Sequence, residues 1–93
     1  TPEYNNSIPG VLKNAIDYVP PTSLKDKAVG LVGYSYHGGI AALRNLREII
    51  AAWGVEIPEQ QVSINLGSDF QDGSFAPSEE LNGQLRALLT SLA

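Results

Sequence analysis

Apolar positions along the chain follow a helical period in three stretches and a strand-like pattern in two, and the two kinds alternate. In residues 7–19, Leu12, Ala15, Ile16 and Val19 make one stripe. Ser7 suits the N-cap of that helix and Pro9 its first turn, where no N–H donor is needed; Pro20-Pro21 ends it. Residues 28–34 (AVGLVGY) are nearly all apolar and do not alternate, the pattern of a strand covered on both faces. A second helix is expected over residues 40–53, with Leu43, Leu46, Ile50 and Trp53 buried, joined by Ala42 and Ile49. Gly54 reads as its C-terminal cap, and Arg44 and Glu48 are spaced to pair on its wet face. Residues 61–66 (QVSINL) alternate apolar and polar, as in a strand at a sheet edge with one face exposed. A loop with turn residues Gly67, Asp69, Asp72 and Gly73 leads to a last helix over residues 77–92. Its stripe is Leu81, Leu85, Leu88 and Leu92, Glu79 and Glu80 favour its positive end, and Gly83 weakens it.

Helix, strand, helix, strand, helix implies an α/β fold with parallel strands and crossover helices. Two strands are too narrow a sheet for three helices, so the pattern is that of about half a doubly wound sheet. The remaining strands are expected N-terminal to Thr1 or in another chain, and the opening on Thr1 rather than Met points the same way.

Composition narrows the function classes. With 93 residues there is one domain at most, and 43% hydrophobic against 17% charged residues is the balance of a globular protein. The net charge of −4, with six Lys and Arg and no basic run, argues against nucleic acid or an anionic membrane as partner. No cysteine is present, which excludes disulfides and thiolate chemistry, and a single His cannot build a His-rich metal site. No apolar stretch is long enough for a membrane span and no signal peptide is visible, so a cytoplasmic protein is expected.

Two loops hold the candidate chemistry: residues 1–7 (TPEYNNS) and residues 35–39 (SYHGG). Both precede a helix, and in open α/β sheets ligands bind beyond the carboxyl ends of the strands. Pro-Glu-Tyr-Asn alone is an ordinary turn before a helix. Followed by Ser-Ile-Pro-Gly-Val-Leu-Lys-Asn-Ala-Ile-Asp-Tyr, it resembles the hallmark stretch of the NADPH-dependent FMN reductase family, which includes azo-dye, chromate and quinone reductases. The likeness is close from Thr1 to Tyr18. It continues more loosely through Gly38-Gly39, residues 43–47 (LRNLR) and the turn at residues 70–73 (FQDG), and corresponds to the second half of the family's length.

The resemblance implies a flavodoxin-like doubly wound sheet, of which residues 1–93 supply the C-terminal half of one FMN-binding domain. It implies that Pro2, Glu3, Tyr4 and Asn5 border the flavin ring, mostly through backbone groups and the Asn side chain. Ser35, Tyr36, Gly38 and Gly39 are implied at its pyrimidine edge, with Ser35 and the amides near Gly38 as donors. The second loop departs from the family's pattern: it is slightly shorter, and Tyr36-His37 stand where smaller residues are usual. The family's Gly-, Ser- and Arg-rich phosphate loop has no counterpart here, so the N-terminal half of the fold is expected to be required.

The activity implied is hydride transfer from NAD(P)H through FMN to a small-molecule electron acceptor: a quinone, an azo compound, free flavin or a metal oxyanion. The flavin does the chemistry, so no side chain is named as catalytic. A homodimer or homotetramer is implied by the family. It has a local basis too, since Val11 and Tyr18 lie off the main stripe of the first helix and need cover. A non-enzymatic electron carrier and a flavin-free interaction module remain alternatives; the scattered charges favour the enzyme. His37 reads as a solvated loop residue, Tyr36 as a flavin cover or a loop cap, and Tyr18 and Trp53 as packing residues. Asp69 and Asp72 read as turn acids rather than metal ligands.

Overall fold

The first strand is central because it pairs on both of its edges. In the computed structural model, which describes residues 1–93, β1 (Val32–Ser35) runs parallel to β2 (Val62–Asn65), with Val32 opposite Val62 and Ser35 opposite Asn65. On its other edge Pro2 forms a parallel bridge with Tyr34, the Tyr34 amide donates to the Thr1 carbonyl (3.0 Å), and the Thr1 amino nitrogen donates to the Val32 carbonyl (2.7 Å). Residues 1–2 thus occupy a third strand position, which the sequence pattern did not indicate. Within the chain β2 is an edge strand, as expected.

Three helices flank this sheet: α1 (Gly10–Tyr18), α2 (Ile40–Ala51) and α3 (Glu79–Ser91). Side chains alternate along extended backbone, so Leu31, just before β1, and Val32, its first residue, serve different layers. Leu31 faces a cluster with Ile8, Ala42, Leu43, Leu46 and Ile50, to which α1 adds Leu12 and Ile16. Val32 faces the opposite cluster of Val62, Leu81 and Leu88. Gly33 lets α2 lie close on the strand: a Cβ there would stand 2.8 Å from the Leu43 Cγ.

Several expectations need correction. Ser7 does not cap α1; the N-cap is Pro9, without a side-chain bond, because Ser7 is held in a turn with Tyr4. The apolar run at residues 28–34 is not one continuous strand. Ala28 bridges Glu56, then the ladder breaks before Val32 meets Val62. Six positions separate Glu56 from Val62 but only four separate Ala28 from Val32, and Pro58, which has no N–H for a ladder, sits in the longer path. Arg44 and Glu48 do not pair; the single ion pair is Lys13 with Asp17 (2.8 Å). Trp53 and Ile49 are half-buried, whereas Ala41, off the expected stripe, is buried. Ser63 is not on a wet face, since Gly38 lies 3.4 Å from it by the position a Cβ would take.

The loop after β2 contains a small hairpin, β3 (Phe70–Gln71) with β4 (Ser74–Phe75). Asp72 and Gly73 have φ of 51° and 78°, the left-handed pair that a two-residue hairpin turn requires. Gly54 is not the C-cap of α2 that the sequence suggested: the helix ends at Ala51 with Ala52 as C-cap, and Gly54 (φ 69°) closes the turn that follows, its amide donating to the Ala51 carbonyl (3.1 Å). Ser78 caps α3 by accepting from the Leu81 amide (3.1 Å), with Glu79 and Glu80 in its first turn.

Candidate functional site

The carboxyl ends of β1 and β2 and the loop at residues 1–7 meet at one edge of the sheet. In the first loop Asn5 and Asn6 have φ of 50° and 67°, and Tyr4 and Ser7 exchange backbone hydrogen bonds across them (2.9 and 3.1 Å). Asn tolerates this left-handed geometry better than most residues, which explains Asn-Asn at the tip. The side chains of Tyr4 and Asn5 are exposed. Pro2 is held by its bridge to β1.

Helix α2 fixes this loop at two points, one turn apart. The Ala42 amide donates to the Glu3 carboxylate (3.0 Å), and the Asn45 side-chain amide donates to Ser7 Oγ (2.8 Å). Of the side chains placed near the flavin on sequence grounds, that of Glu3 is therefore engaged by the protein itself. Its backbone remains at the edge with Pro2 and Tyr4.

The second loop turns back on Ser35. The His37 and Gly39 amides both donate to Ser35 Oγ (2.9 Å each), and the Gly38 amide donates to the Ser35 carbonyl (3.3 Å). Gly38 and Gly39 have φ of 86° and 71°, and a Cβ on Gly39 would stand 2.9 Å from the Tyr34 nitrogen. Glycine is thus required at residue 39 on both counts. The expectation that amides near Gly38 serve as free donors is corrected: those amides are committed inside the loop. What the loop has to offer is the hydroxyl hydrogen of Ser35 and the Tyr36 amide, neither of which donates within the chain. Tyr36 and His37 project into solvent.

Asn65, not singled out by sequence reasoning, ties the second loop to the end of β2. Its side-chain nitrogen donates to the Tyr36 carbonyl (2.9 Å), and its side-chain oxygen accepts from the Gly67 and Ser68 amides (2.8 and 3.0 Å). The Asp69 carboxylate accepts from the Asn65 amide (2.7 Å), so Asp69 is a loop-closing acid. Asn followed by Gly two residues on, at a strand end, is the signal that was available for this turn.

Charge at the edge is modest. Two of the three helix N-termini are poorly suited to a phosphate: that of α2 holds the Glu3 carboxylate, and that of α3 carries Ser78, Glu79 and Glu80. That of α1 is uncapped, but its nearest cation, Lys13, is paired with Asp17. The residues present fit the ring end of an FMN, where hydroxyl and amide donors and close backbone approach are needed. They do not fit its phosphate end.

A groove of about 560 Å³ runs beside β1, lined mainly by Pro2, Val11, Leu12, Gly30, Leu31 and Val32. No helix is long and apolar enough to cross a membrane.

The sequence profile of the NADPH-dependent FMN reductases matches residues 1–69. FMN-dependent NADPH-azoreductases of Staphylococcus aureus, from strains USA300 and NCTC 8325 / PS 47, are each 40% identical to this chain over 96% of its length. The chain spans 48% of the length of these relatives. A flavodoxin-like fold accords with the parallel sheet and its helices on both faces, and the chain belongs to the NADPH-dependent FMN reductase family.

Proposed function

We propose that residues 1–93 are the C-terminal half of a flavodoxin-like domain in an FMN-dependent NAD(P)H oxidoreductase. The observation that carries this reading is the meeting of the first and second loops at one sheet edge, joined by the Tyr34–Thr1 bond and by the Glu3 cap on α2. When bound, FMN supplies the redox chemistry, taking hydride from NAD(P)H and passing electrons to an acceptor. The chain's own part is to hold the ring. Pro2, Glu3, Tyr4 and Asn5 border it by backbone and the Asn5 side chain, Ser35 and Tyr36 donate to it, and Gly38 and Gly39 let the second loop turn tightly against the strands so that these donors stay at the edge. Orientation and exclusion of water are what such loops contribute to hydride transfer. The acceptor is a quinone, an azo compound, free flavin or a metal oxyanion; the azoreductase relatives favour the azo compound.

The rest of the fold is needed for binding. The phosphate lacks a seat here, and the apolar groove beside β1 gives the N-terminal strands a place to dock. We place the complete protein in the cytoplasm, where NAD(P)H is available, as a homodimer or homotetramer.

An absorbance spectrum of the purified complete protein, followed by NADPH oxidation with and without a quinone, tests the reading. Flavin peaks and acceptor-dependent oxidation are expected. Flavin without NADPH oxidation would indicate an electron carrier, and no flavin an interaction module. Titration of the 93-residue segment alone should show no tight FMN binding; tight binding by a monomer would defeat the requirement for the other half.

A further inference from the structure

Helix α2 begins without a cap of its own. Its N-cap residue is Gly39, in the left-handed region, which has no side chain to accept from the first amides. Backbone amides at a helix start need partners, and the aligned peptide dipoles place positive charge there. The partner comes from 39 positions away in sequence: Glu3 accepts from Ala42, the third residue of the helix. Glu3 lies between Pro2, bridged to β1, and Tyr4, closed in a turn with Ser7. The same helix holds Ser7 through Asn45 one turn further along. Glu3 is therefore the link, of two between the first loop and α2, that lies at the helix start, which the second loop feeds.

We propose that Glu3 is a positioning residue. It fixes the first loop against the second by capping α2, and its carboxylate offsets the positive helix end beside the place where the flavin ring lies. The proposal rests on the FMN reading above. Two effects follow and separate chemically. The hydrogen bond needs only an oxygen acceptor, which Gln retains. The offset needs the negative charge, which Gln lacks. Reduction adds electron density to a flavin, so removing a nearby negative charge favours the reduced form and raises the reduction potential.

The test uses the complete protein, with and without FMN, as wild type, Glu3→Gln and Glu3→Ala. In Glu3→Ala, exchange of the Ala42 amide is expected to quicken about fivefold, the loss typical of an N-cap, and the FMN dissociation constant to rise by a similar factor. In Glu3→Gln, both should return to near wild-type values while the midpoint potential of the bound flavin moves positive. Unchanged Ala42 exchange in Glu3→Ala overturns the cap. An unchanged potential in Glu3→Gln overturns the electrostatic role. Wild-type protein that takes up no FMN overturns the functional reading and the flavin part of the proposal together, while Ala42 exchange in the apoprotein still decides the cap.

Discussion

Helices α1 and α2 carry the same kind of apolar stripe, yet α2 buries Ala41, Ala42, Leu43, Leu46 and Ile50 while α1 buries nothing. The difference lies in what each helix faces. Gly33 and Gly39 let α2 settle directly onto β1, and Glu3 closes its start. By contrast, α1 touches the same cluster through Leu12 and Ile16, each half-buried, and leaves Val11 and Tyr18 at 80% and 83% exposure. Periodicity tells which face of a helix is apolar. Burial depends on whether the sheet beneath that face is present in the chain.

The contrast is sharpest in core truncations. Leu43→Ala should cost about 3 kcal/mol, since Leu43 is fully buried and its site, backed by strand and helix, cannot collapse. Ile16→Ala should cost about 1 kcal/mol in the isolated segment, because that side chain is already partly wet. Denaturant unfolding of both variants reads the gap. Equal losses would mean that α1 is packed as tightly as α2.

Gly39→Ala should rank next. The residue has φ of 71°, and the added Cβ would press on the Tyr34 nitrogen, a backbone atom with little room to yield. A loss of about 2 kcal/mol is expected from the strain, together with weaker flavin retention, as the second loop shifts. Gly54→Ala is the control: its φ of 69° is similar but nothing stands within 4 Å of the added atom. A cost at Gly54 as large as at Gly39 would leave close approach to β1 without a role at the site.

These glycines also mark how far the sequence could be read. The five main elements, their parallel arrangement and the stripes of α2 and α3 were legible, because they follow from local periodicity. The hairpin at residues 70–75 was half legible, as Asp72-Gly73 announces the turn but the strands are only two residues each. The long-range contacts were not legible. No local pattern pairs Glu3 with Ala42, Asn45 with Ser7 or Asn65 with Tyr36, since these bonds exist only once the sheet brings three loops to one edge. The family motif marked the first loop as functional, but it did not reveal that the Glu3 side chain faces inward to the protein.

Smaller effects are expected at the loop tips, where neither helix is disturbed. Asn5→Gly keeps the left-handed turn and removes the side chain, so a fall in FMN affinity reports that side chain alone. A loss of roughly fivefold is expected, the worth of one hydrogen bond. Asn5→Ala should lose more, since Ala is strained at φ of 50°. His37→Ala should leave affinity and potential nearly unchanged, because His37 is exposed and its backbone amide bond to Ser35 survives. Flavin retention and redox titration of the three variants check the order. A larger effect at His37 than at Asn5 would shift the functional weight to the second loop.

The smallest expected change in folding stability concerns the exposed face of α1. Val11→Ser and Tyr18→Ser remove apolar atoms that touch little within residues 1–93, so in the isolated segment each should alter unfolding free energy by less than about 0.5 kcal/mol. If that face meets a second copy of the complete protein, the same changes remove cover from an interface and weaken association. Light scattering of wild-type and doubly substituted protein at micromolar concentration distinguishes the cases. A wild-type oligomer that dissociates on substitution, with unchanged unfolding of the isolated segment, is the expected result. An oligomer that survives it would place the subunit contact elsewhere. A wild-type monomer that binds FMN and reduces its acceptor fully would make Val11 and Tyr18 packing positions for the rest of the same domain, and the difference between α1 and α2 would then be one of intramolecular cover alone.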